Sequence, residues 1–515
     1  MSVLNVIKNE LKAAFGYQQT FEELIANGDV RRAINMMEDR SIKAAECIRE
    51  YQTESHKIMK RAPKTIRDKA GNIVRSKELN KIAIPYPLYI NEIALVFMYG
   101  RPPKWMNETP MPRREERMAL DEERKGLEEG SARIGQIDKL LADIQAEQDK
   151  VTNRFQKYKD TLKEARFSAH VREAKRVAGI EECSAMLFHC KKDSRGNPTM
   201  EIKVLSKMEN DDIYTMFDQY DHLVAFAWGY NTVDAANKTV HHYDIYMANK
   251  IWKCEQRWGG QWLVSTEDNR IGKIPVIVFI QKKEWGQTES LIDRVEKAMS
   301  STADSNDRFS DPRLVATAEI LNKDRLPKEE EEGDMFIVNK GGDVHYLERT
   351  DNNEARSSEI DKLDDQILSK SFTPNLTLEA LKGLGQASGA MLQRYMVLAN
   401  IKADKHKEKH DEYLSRTSSL VCAILDNVLD IPNRGYSDLI IGHEFSEPFG
   451  EDVSQILGDA IKQHNAGGMS TETLLEHSYL IKDTRVEMER LDREDQEKIK
   501  RQQQMMQMDA FGLAQ

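Results

Sequence analysis

The residue spacing that comes closest to a chemical site is a histidine pair. His406 and His410 lie four residues apart, with Asp404 nearby, so a helix would place both imidazoles on one face. Such spacing is compatible with zinc ligation. The surrounding segment, Lys402 to Glu412, is mostly lysine and glutamate, which adds cations and no third soft ligand. We therefore expect a solvated, charged helix face here and no bound metal.

Motifs for other chemistry are absent or incomplete. The sequence has no GxxxxGK[ST], GxGxxG, GxSxG or HExxH pattern. Gly272-Lys273 is followed by Ile274, where a phosphate-binding loop needs a hydroxyl. Gly383-Leu384-Gly385 lacks a third glycine and a preceding strand. As a candidate metal site, His241-His242 is weaker than the pair His406 and His410. A nuclease or hydrolase would need a metal or nucleophile cluster that we do not find, so we predict a non-enzymatic protein without a cofactor.

The composition indicates a large, acidic and helix-rich protein. Its 515 residues predict two to four domains, and 86 acidic against 75 basic residues give a formal charge of −11. This balance argues against a broad basic surface that grips DNA, although DNA could still slide past. The five cysteines are scattered without a CxxC pair, which predicts free thiols in a reducing cytosol. We expect no signal peptide and no membrane span.

A helix, a loop and a second, much longer helix are predicted between Ser357 and Leu429. Apolar residues spaced at three and four predict the first helix. Pro374 then excludes the residue before it from helical geometry. Gly383 and Gly385 allow the loop that follows to take more than one conformation at little cost.

The second helix is predicted to begin near Ser388, whose hydroxyl is suited to cap it. Beyond Gly389, neither glycine nor proline interrupts the sequence up to Leu429. Roughly forty residues could therefore form one rod of about 60 Å. Its middle, Lys402 to Glu412, is predicted to be charged on every face, as in a helix that bridges between packing partners.

A heptad pattern runs from Ile134 to Leu162, with Gln148 as the one polar residue among its seam positions. This pattern predicts the seam of a coiled coil or a helical hairpin. The sequence leaves open whether the partner lies within the chain or in a neighbouring subunit. Before it, Leu88 to Met98 predicts a buried helix that stops at Gly100.

Apolar residues alternate with a period of two between Ser184 and Gln281, which predicts antiparallel strands. Turn residues at 194–198 and at Gly259-Gly260 predict hairpins. The predicted strands are 184–191, 200–205, 223–228, 241–247, 251–257, 261–264 and 276–280. With mostly helical flanks, the predicted fold class is α+β, mainly helical, with a long helix plus an antiparallel sheet.

The rest of the chain is predicted to alternate helices with short strands. Residues 1–80 are expected to be mostly helical and polar, and residues 289–309 form a further helix. In the module after it, two strands are expected to pair through Gly341-Gly342. The remaining predicted elements are strands 335–339, 344–347 and 439–444, helices 453–464 and 471–479, and a charged helix from about Asp483.

Five segments, in the right order over residues 80–500, resemble the portal proteins of tailed bacteriophages, of the siphophage kind. The most specific is Ser371-Phe372-Thr373-Pro374 followed by Ser388-Gly389-Ala390 and a long helix with Lys402-Ala403. The other segments are Asn91 with Tyr99-Gly100-Arg101-Pro102, Ile271 to Ile277, Leu291-Ile292-Asp293 with Ser300 to Asp307, and Gly468 to Leu474 with Asp483.

The resemblance implies a portal fold with wing, stem, clip and crown regions. Mapped onto this sequence, the regions are 1–80 (N-terminal helical part of the wing), 81–288 (wing, with the heptad segment 131–166 and the antiparallel sheet 184–281), 289–310 (stem helix), 311–352 (clip), 353–371 (stem helix), 372–387 (tunnel loop), 388–448 (long wing helix and strand), 449–501 (crown) and 502–515 (disordered tail).

The resemblance also implies a function. Twelve identical chains would form a ring at one capsid vertex, and double-stranded DNA would pass through its channel during packaging and ejection. The implied partners are the terminase, the major capsid or scaffold protein and a head–tail adaptor, with no membrane. The chain would be made in the host cytoplasm and incorporated into the virion. The candidate DNA contacts are Lys370, Thr373, Lys382, Gly383 and Gly385.

Two alternatives stay open from the sequence. If the heptads were the main signal, the chain would be a non-viral coiled-coil scaffold or adaptor. The loop could also be an ordinary surface connection rather than a DNA contact. Images of the purified protein would separate rings from rods and compact globules.

Overall fold

The computed structural model describes residues 21–67, 73–127, 132–309, 314–316, 344–346, 353–376, 396–446 and 453–478, and single positions between 481 and 498. The chain forms two compact units, which we describe separately. The larger unit comprises residues 1–376 and 397–446, and the smaller comprises residues 377–396 and 447–515. Helices and antiparallel strands both contribute, so the predicted α+β class is confirmed.

The described helices of the larger unit are α1 (Val30–Ile34), α2 (Ser41–Tyr51), α3 (Tyr86–Tyr99), α4 (Arg114–Lys125), α5 (Ala132–Glu164), α6 (Phe167–Glu181), α7 (Glu289–Phe309), α8 (Asn353–Lys370) and α9 (Val397–Ile424). Helix α3 ends at Tyr99 with Gly100 as its C-cap, as predicted, and α7 covers the segment predicted from sequence. Helix α9 continues into a π-helical turn, Leu425–Leu429. The predicted start of this rod, near Ser388, lies outside the described residues.

The described strands are β1 (Glu38–Asp39), β2 (Lys64–Arg67), β3 (Ile73–Lys77), β4 (Lys104–Asn107), β5 (Cys183–Lys192), β6 (Pro198–Leu205), β7 (Asp212–Phe217), β8 (Leu223–Val233), β9 (Thr239–Tyr246), β10 (Lys250–Arg257), β11 (Leu263–Asp268), β12 (Val276–Ile280), β13 (Leu314–Ala316), β14 (Val344–Tyr346) and β15 (Ile441–Glu444). All seven strands predicted between residues 184 and 281 are present, and β7 is an eighth that was not predicted. Residues 1–80 also contain the β2–β3 hairpin, where helix was expected.

The predicted single sheet is two sheets. One has the order β1-β7-β8-β9-β10-β11 and the other β12-β5-β6, with antiparallel neighbours throughout. The side chains of β5 alternate between the two faces of its sheet, and each face packs against a different part of the core. Leu187 packs in the cluster shared with the six-stranded sheet, whereas Phe188 packs in the main core with the helices. Helix α1 covers the opposite face of the six-stranded sheet.

The heptad segment forms a helical hairpin within the chain. In the first half of α5, Ile137 and Ile144 are fully buried and cluster with Leu120 of α4. The polar seam residue, Gln148, accepts a hydrogen bond from Arg117 and donates one to the carbonyl of Pro112 at 3.0 Å. Hydrogen bonds to α4 and to the residue Pro112 before it therefore satisfy this buried amide. For this part of the seam, the packing partner lies within the chain and is α4.

Replacing Ile144 with aspartate is expected to remove about 3 kcal/mol or more of local stability, because the carboxylate would be buried without a partner. Leu141 is half-buried, so Leu141→Asp is the matched control and should cost less. Hydrogen exchange of the α4 and α5 amides measures both. Equal protection in the two variants would show that the hairpin seam does not pack as described.

The segment between α7 and α8, predicted to be the clip, is described at two short strands only. Strand β14 pairs with β13, joining Leu314–Ala316 to Val344–Tyr346. The predicted partner strand, 335–339, and the turn Gly341-Gly342 lie outside the described residues.

The smaller unit contains α10 (Val453–Asn465) and α11 (Thr471–His477). Both helices fall on predicted segments, although α11 ends two residues early. Ser470 caps α11, since its hydroxyl accepts a hydrogen bond from the Thr473 amide at 3.2 Å. The predicted disordered tail, 502–515, lies outside the described residues.

The five cysteines are free, as predicted, and all but Cys190 are buried. Burial raises the pKa of Cys183, Cys254 and Cys422, each to about 12. In the part of the chain that the structure describes, no helix has the length and apolar character needed to cross a bilayer.

Candidate functional site

A buried cluster of charged residues lies just before α7. The Glu284 carboxylate accepts a hydrogen bond from Lys175 of α6 and contacts Lys402 of α9 at 2.8 Å and His406 of α9 at 3.2 Å. The side chains of Lys175 and Glu284 are each 1% exposed. One carboxylate therefore joins α6, α9 and the loop that leads into α7.

The charges in this cluster are set by burial and by each other. Burial alone would raise the pKa of Glu284, but the ammonium groups of Lys175 and Lys402 hold it well below its usual range. Burial lowers the pKa of Lys175 and of His406. Glu284 is thus ionised, and His406 contacts it as a neutral imidazole near neutral pH.

The expectation of a solvated helix around His406 and His410 is wrong. His410 is 1% exposed, and its Nδ1 forms a hydrogen bond of 2.9 Å with the hydroxyl of Tyr99 in α3. Burial lowers the pKa of His410 well below its usual range. Ala403 is also buried, so the middle of α9 has an inner face and is not charged all round. The physical reason is that Glu284 and Tyr99, distant in sequence, provide partners for the polar side chains.

The third candidate ligand, Asp404, does not join the histidine pair. Asp404 points to solvent and pairs with Lys407 at 2.8 Å. Across the described ranges, no group of three or more histidine, cysteine or acidic side chains could hold a metal ion.

Two tyrosines of α3 hold the end of α8 and the turn that follows it. Tyr86 forms a hydrogen bond with Asp364. The Tyr89 hydroxyl donates to the carbonyl of Pro374 at 2.8 Å and accepts from the amide of Leu376 at 2.9 Å. This one hydroxyl therefore fixes the backbone at the point where the predicted tunnel loop begins.

The candidate DNA contacts in the described turn differ in exposure. Lys370, the last residue of α8, is exposed. Thr373 is 3% exposed, and its hydroxyl bonds with Ser371, so it stabilises the turn and is removed from the candidate contacts. Phe372 takes a positive φ of 54°, a strained angle for a bulky residue. The remaining candidates, Lys382, Gly383 and Gly385, lie outside the described residues.

The buried side chain of Asn91 in α3 lies directly against Gly179 of α6. A Cβ on Gly179 of α6 would lie 2.1 Å from the Asn91 side-chain oxygen and 3.0 Å from Glu284. Only glycine fits there, because any side chain would collide with both groups.

The sequence matches the family described as "Phage portal protein, SPP1 Gp6-like" over residues 32–501. The chain belongs to this family. The match spans nearly the whole chain and includes the buried cluster, the α7–α8 helices and the turn after them. The portal resemblance inferred from sequence motifs is thereby confirmed, and the chain is a phage portal protein, a component of the capsid vertex.

No protein with a curated description matches this portal protein. Among solved structures, it is similar to a chain of "Neck of native GTA particle computed with C12 symmetry". The two chains are 9% identical, the match covers 76% of this chain and 89% of that chain, and the TM-score is 0.35.

Sequence reasoning missed the residues that position the portal's helices. Glu284 lies in Gln281 to Gly286, a short polar segment with no recognisable motif. From the sequence, Tyr89 is predicted only to lie in a core helix, and Tyr86 has no predicted role. Their spacing of three residues places both hydroxyls on one helix face, a signal that could have suggested a shared target.

Proposed function

We propose that the chain assembles into a closed ring of twelve identical subunits at one capsid vertex, with a central channel for DNA during packaging and ejection. The observation that carries this proposal is the family match over residues 32–501. In this proposal α7 and α8 are the stem helices, 311–352 is the clip, 372–387 the tunnel loop, α9 the long wing helix, and α10 and α11 part of the crown. The ring acts without catalysis or a cofactor.

The pairing of the two proposed stem helices supports this assignment. Arg294 of α7 forms an ion pair of 2.5 Å with Glu359 of α8. Ile292, near the start of α7, clusters with Ile367, near the end of α8. The two helices therefore pack against each other.

The charge of these helices is compatible with a channel that does not hold DNA. Helix α7 contains five acidic and three basic residues, and α8 also contains five acidic and three basic residues. Attraction between a basic channel and each phosphate would oppose movement, whereas an acidic wall lets the duplex pass.

The terminase, the capsid or scaffold protein and a head–tail adaptor are the proposed partners of the ring. Synthesis in the host cytoplasm precedes its incorporation into the virion.

The assembly is tested by native mass measurement and electron microscopy of the purified full-length chain. We expect a closed cyclic oligomer with a central hole, because a heterologous interface that closes generates a ring. A stable monomer at micromolar concentration would contradict the proposal, as would open filaments.

The tunnel loop is proposed to contact DNA loosely and to move during translocation. Between Phe372 and Gly389 the charged residues are Lys382 and Glu379, and a ring would place one Lys382 per subunit near the axis. Lys382→Glu is expected to slow packaging or shorten the packaged genome while rings still assemble, with Lys370→Glu as the comparison at the loop's entrance. Normal packaging rate and length in Lys382→Glu particles would exclude this role.

A further inference from the structure

A segment before α3 runs along the stem helix α7 and binds it through backbone amides. This segment, residues 80–84, we call the strap; it is neither helix nor strand. Alternate amides of the strap donate to side chains one turn apart on α7. The pairs are Ile84 N with Glu296 Oε1 at 2.9 Å, Ile82 N with Ser300 Oγ at 2.9 Å, and Asn80 N with Asp304 Oδ1 at 2.7 Å.

The spacing of the acceptor side chains along α7 matches the spacing of alternate amides along the strap. Four residues of an α-helix rise about 6 Å, and two residues of extended chain span roughly 6.5 Å. Donors at every second strap residue can therefore meet acceptors at every fourth helix residue over three consecutive turns. The helix and the strap run in opposite directions, because the strap residue number falls as the helix residue number rises.

The three hydrogen bonds between the strap and α7 form a ladder, with each bond as one rung. The sequence of α7 allows one register of this ladder. One turn before Glu296 the residue is Ile292, and one turn after Asp304 it is Arg308. Isoleucine has no acceptor, and the guanidinium of arginine has donors only. A slip of the strap by one turn in either direction would therefore leave a backbone amide facing a residue that cannot accept its hydrogen bond.

Side chains close both ends of the ladder. At one end, Arg61 donates to the Asn80 carbonyl at 3.0 Å and contacts Asp304 at 2.7 Å. At the other end, Nδ1 of His56 lies 2.6 Å from the same Glu296 oxygen that accepts from Ile84. His56 and Glu296 are nearly fully buried, and Ser300 is 0% exposed. The middle rung is thus shielded from water, which strengthens it.

We propose that the strap is a positioning element that holds the stem helix α7 at one inclination and register, with Ser300 as its central positioning residue. The inference rests on the proposed function, in which α7 lines or supports the channel. Helix α8 holds α7 along one side, and the strap holds it along another, so loosening the strap frees α7 to tilt without separating it from α8.

The test compares Ser300→Ala with Ser301→Ala in the full-length chain. Both changes remove one hydroxyl from adjacent residues of α7, but only the Ser300 hydroxyl accepts a strap amide. Hydrogen exchange is measured on peptides covering residues 78–86, and assembly and packaging are assayed on the same preparations. Ser300→Thr, which keeps the hydroxyl, tests for rescue.

We expect the Ile82 amide to exchange about five- to tenfold faster in Ser300→Ala than in the wild type, since one shielded hydrogen bond is lost. Ser301→Ala should leave exchange unchanged, and Ser300→Thr should restore it in part. Rings should still form, but packaging should be slower in Ser300→Ala alone.

Two results would overturn the proposal. Unchanged exchange in Ser300→Ala would show that the ladder does not form. Faster exchange with normal packaging would show that the strap binds α7 without positioning it for DNA passage. If the wild type forms no ring, the proposed function fails instead, and the exchange result still reports on the ladder by itself.

Discussion

Replacing Glu284 with leucine is expected to lower the free energy of unfolding of this portal protein by roughly 3–5 kcal/mol. The substitution leaves Lys175 fully buried and Lys402 largely buried with no opposite charge. Burial already lowers the pKa of Lys175, so an ammonium group left without Glu284 is disfavoured at this position. Denaturant unfolding followed by circular dichroism measures the change.

Two variants control the Glu284 result. Glu267→Leu removes an exposed carboxylate that pairs with Lys253 at 2.8 Å, and such surface pairs contribute about 1 kcal/mol or less. Adding Lys175→Met to Glu284→Leu removes one unpaired buried cation and should recover part of the stability. A loss as small for Glu284 as for Glu267 would mean that water reaches the cluster.

Trp285→Ala is expected to cost about 3–5 kcal/mol, because it empties the space of the largest buried side chain in the described core. Trp285 belongs to the cluster that joins α3 and α6 to α7 and α8, with Ile90, Ile180, Ile292 and Ile367. Loss of this packing should weaken the joint at the base of α7 and α8. Thermal unfolding and ring assembly are the measurements.

Trp258 provides the matched control for Trp285. It is 62% exposed at the end of β10, so Trp258→Ala removes the same side chain from a wet surface. Its hydrogen bond to Asp234 and its contact with Lys238 are exposed, and we expect a loss below about 1 kcal/mol. Similar losses for both tryptophans would contradict the packing described around Trp285.

Local patterns predicted the parts of the fold whose burial follows from neighbouring residues. The seven strands, the helix ending at Gly100 and the heptad seam of α5 each show their period within a short window. Strand β7 was not predicted because Asp211 precedes it, Asp212 begins it and Asp218 follows it, so its alternation resembles that of a polar loop. The β2–β3 hairpin was not predicted for a related reason, since its short strands are rich in lysine and arginine.

The error at α9 has a different origin. Within Lys402 to Glu412 the sequence is charged in every direction, and no window of this segment shows an inner face. The inner face exists because Glu284 and Tyr99 meet Lys402, His406 and His410 from distant segments. Ion pairs between remote residues leave no periodic signal, so this part of the site could not be predicted from local sequence.

The strap has a consequence for which substitutions the chain should tolerate. The three hydrogen bonds of the ladder use main-chain amides, so the side chains at 81–84 are interchangeable as far as the ladder is concerned. At position 80 the Asn80 side-chain amide adds a hydrogen bond of 2.5 Å to Asp307 of α7. Proline is the exception, because it lacks the amide hydrogen. A proline at 80, 82 or 84 would delete a rung, whereas one at 81 or 83 would not. The chain's own Pro85 continues the odd-numbered positions 81 and 83, whose amides take no part in the ladder, so its missing hydrogen removes no rung.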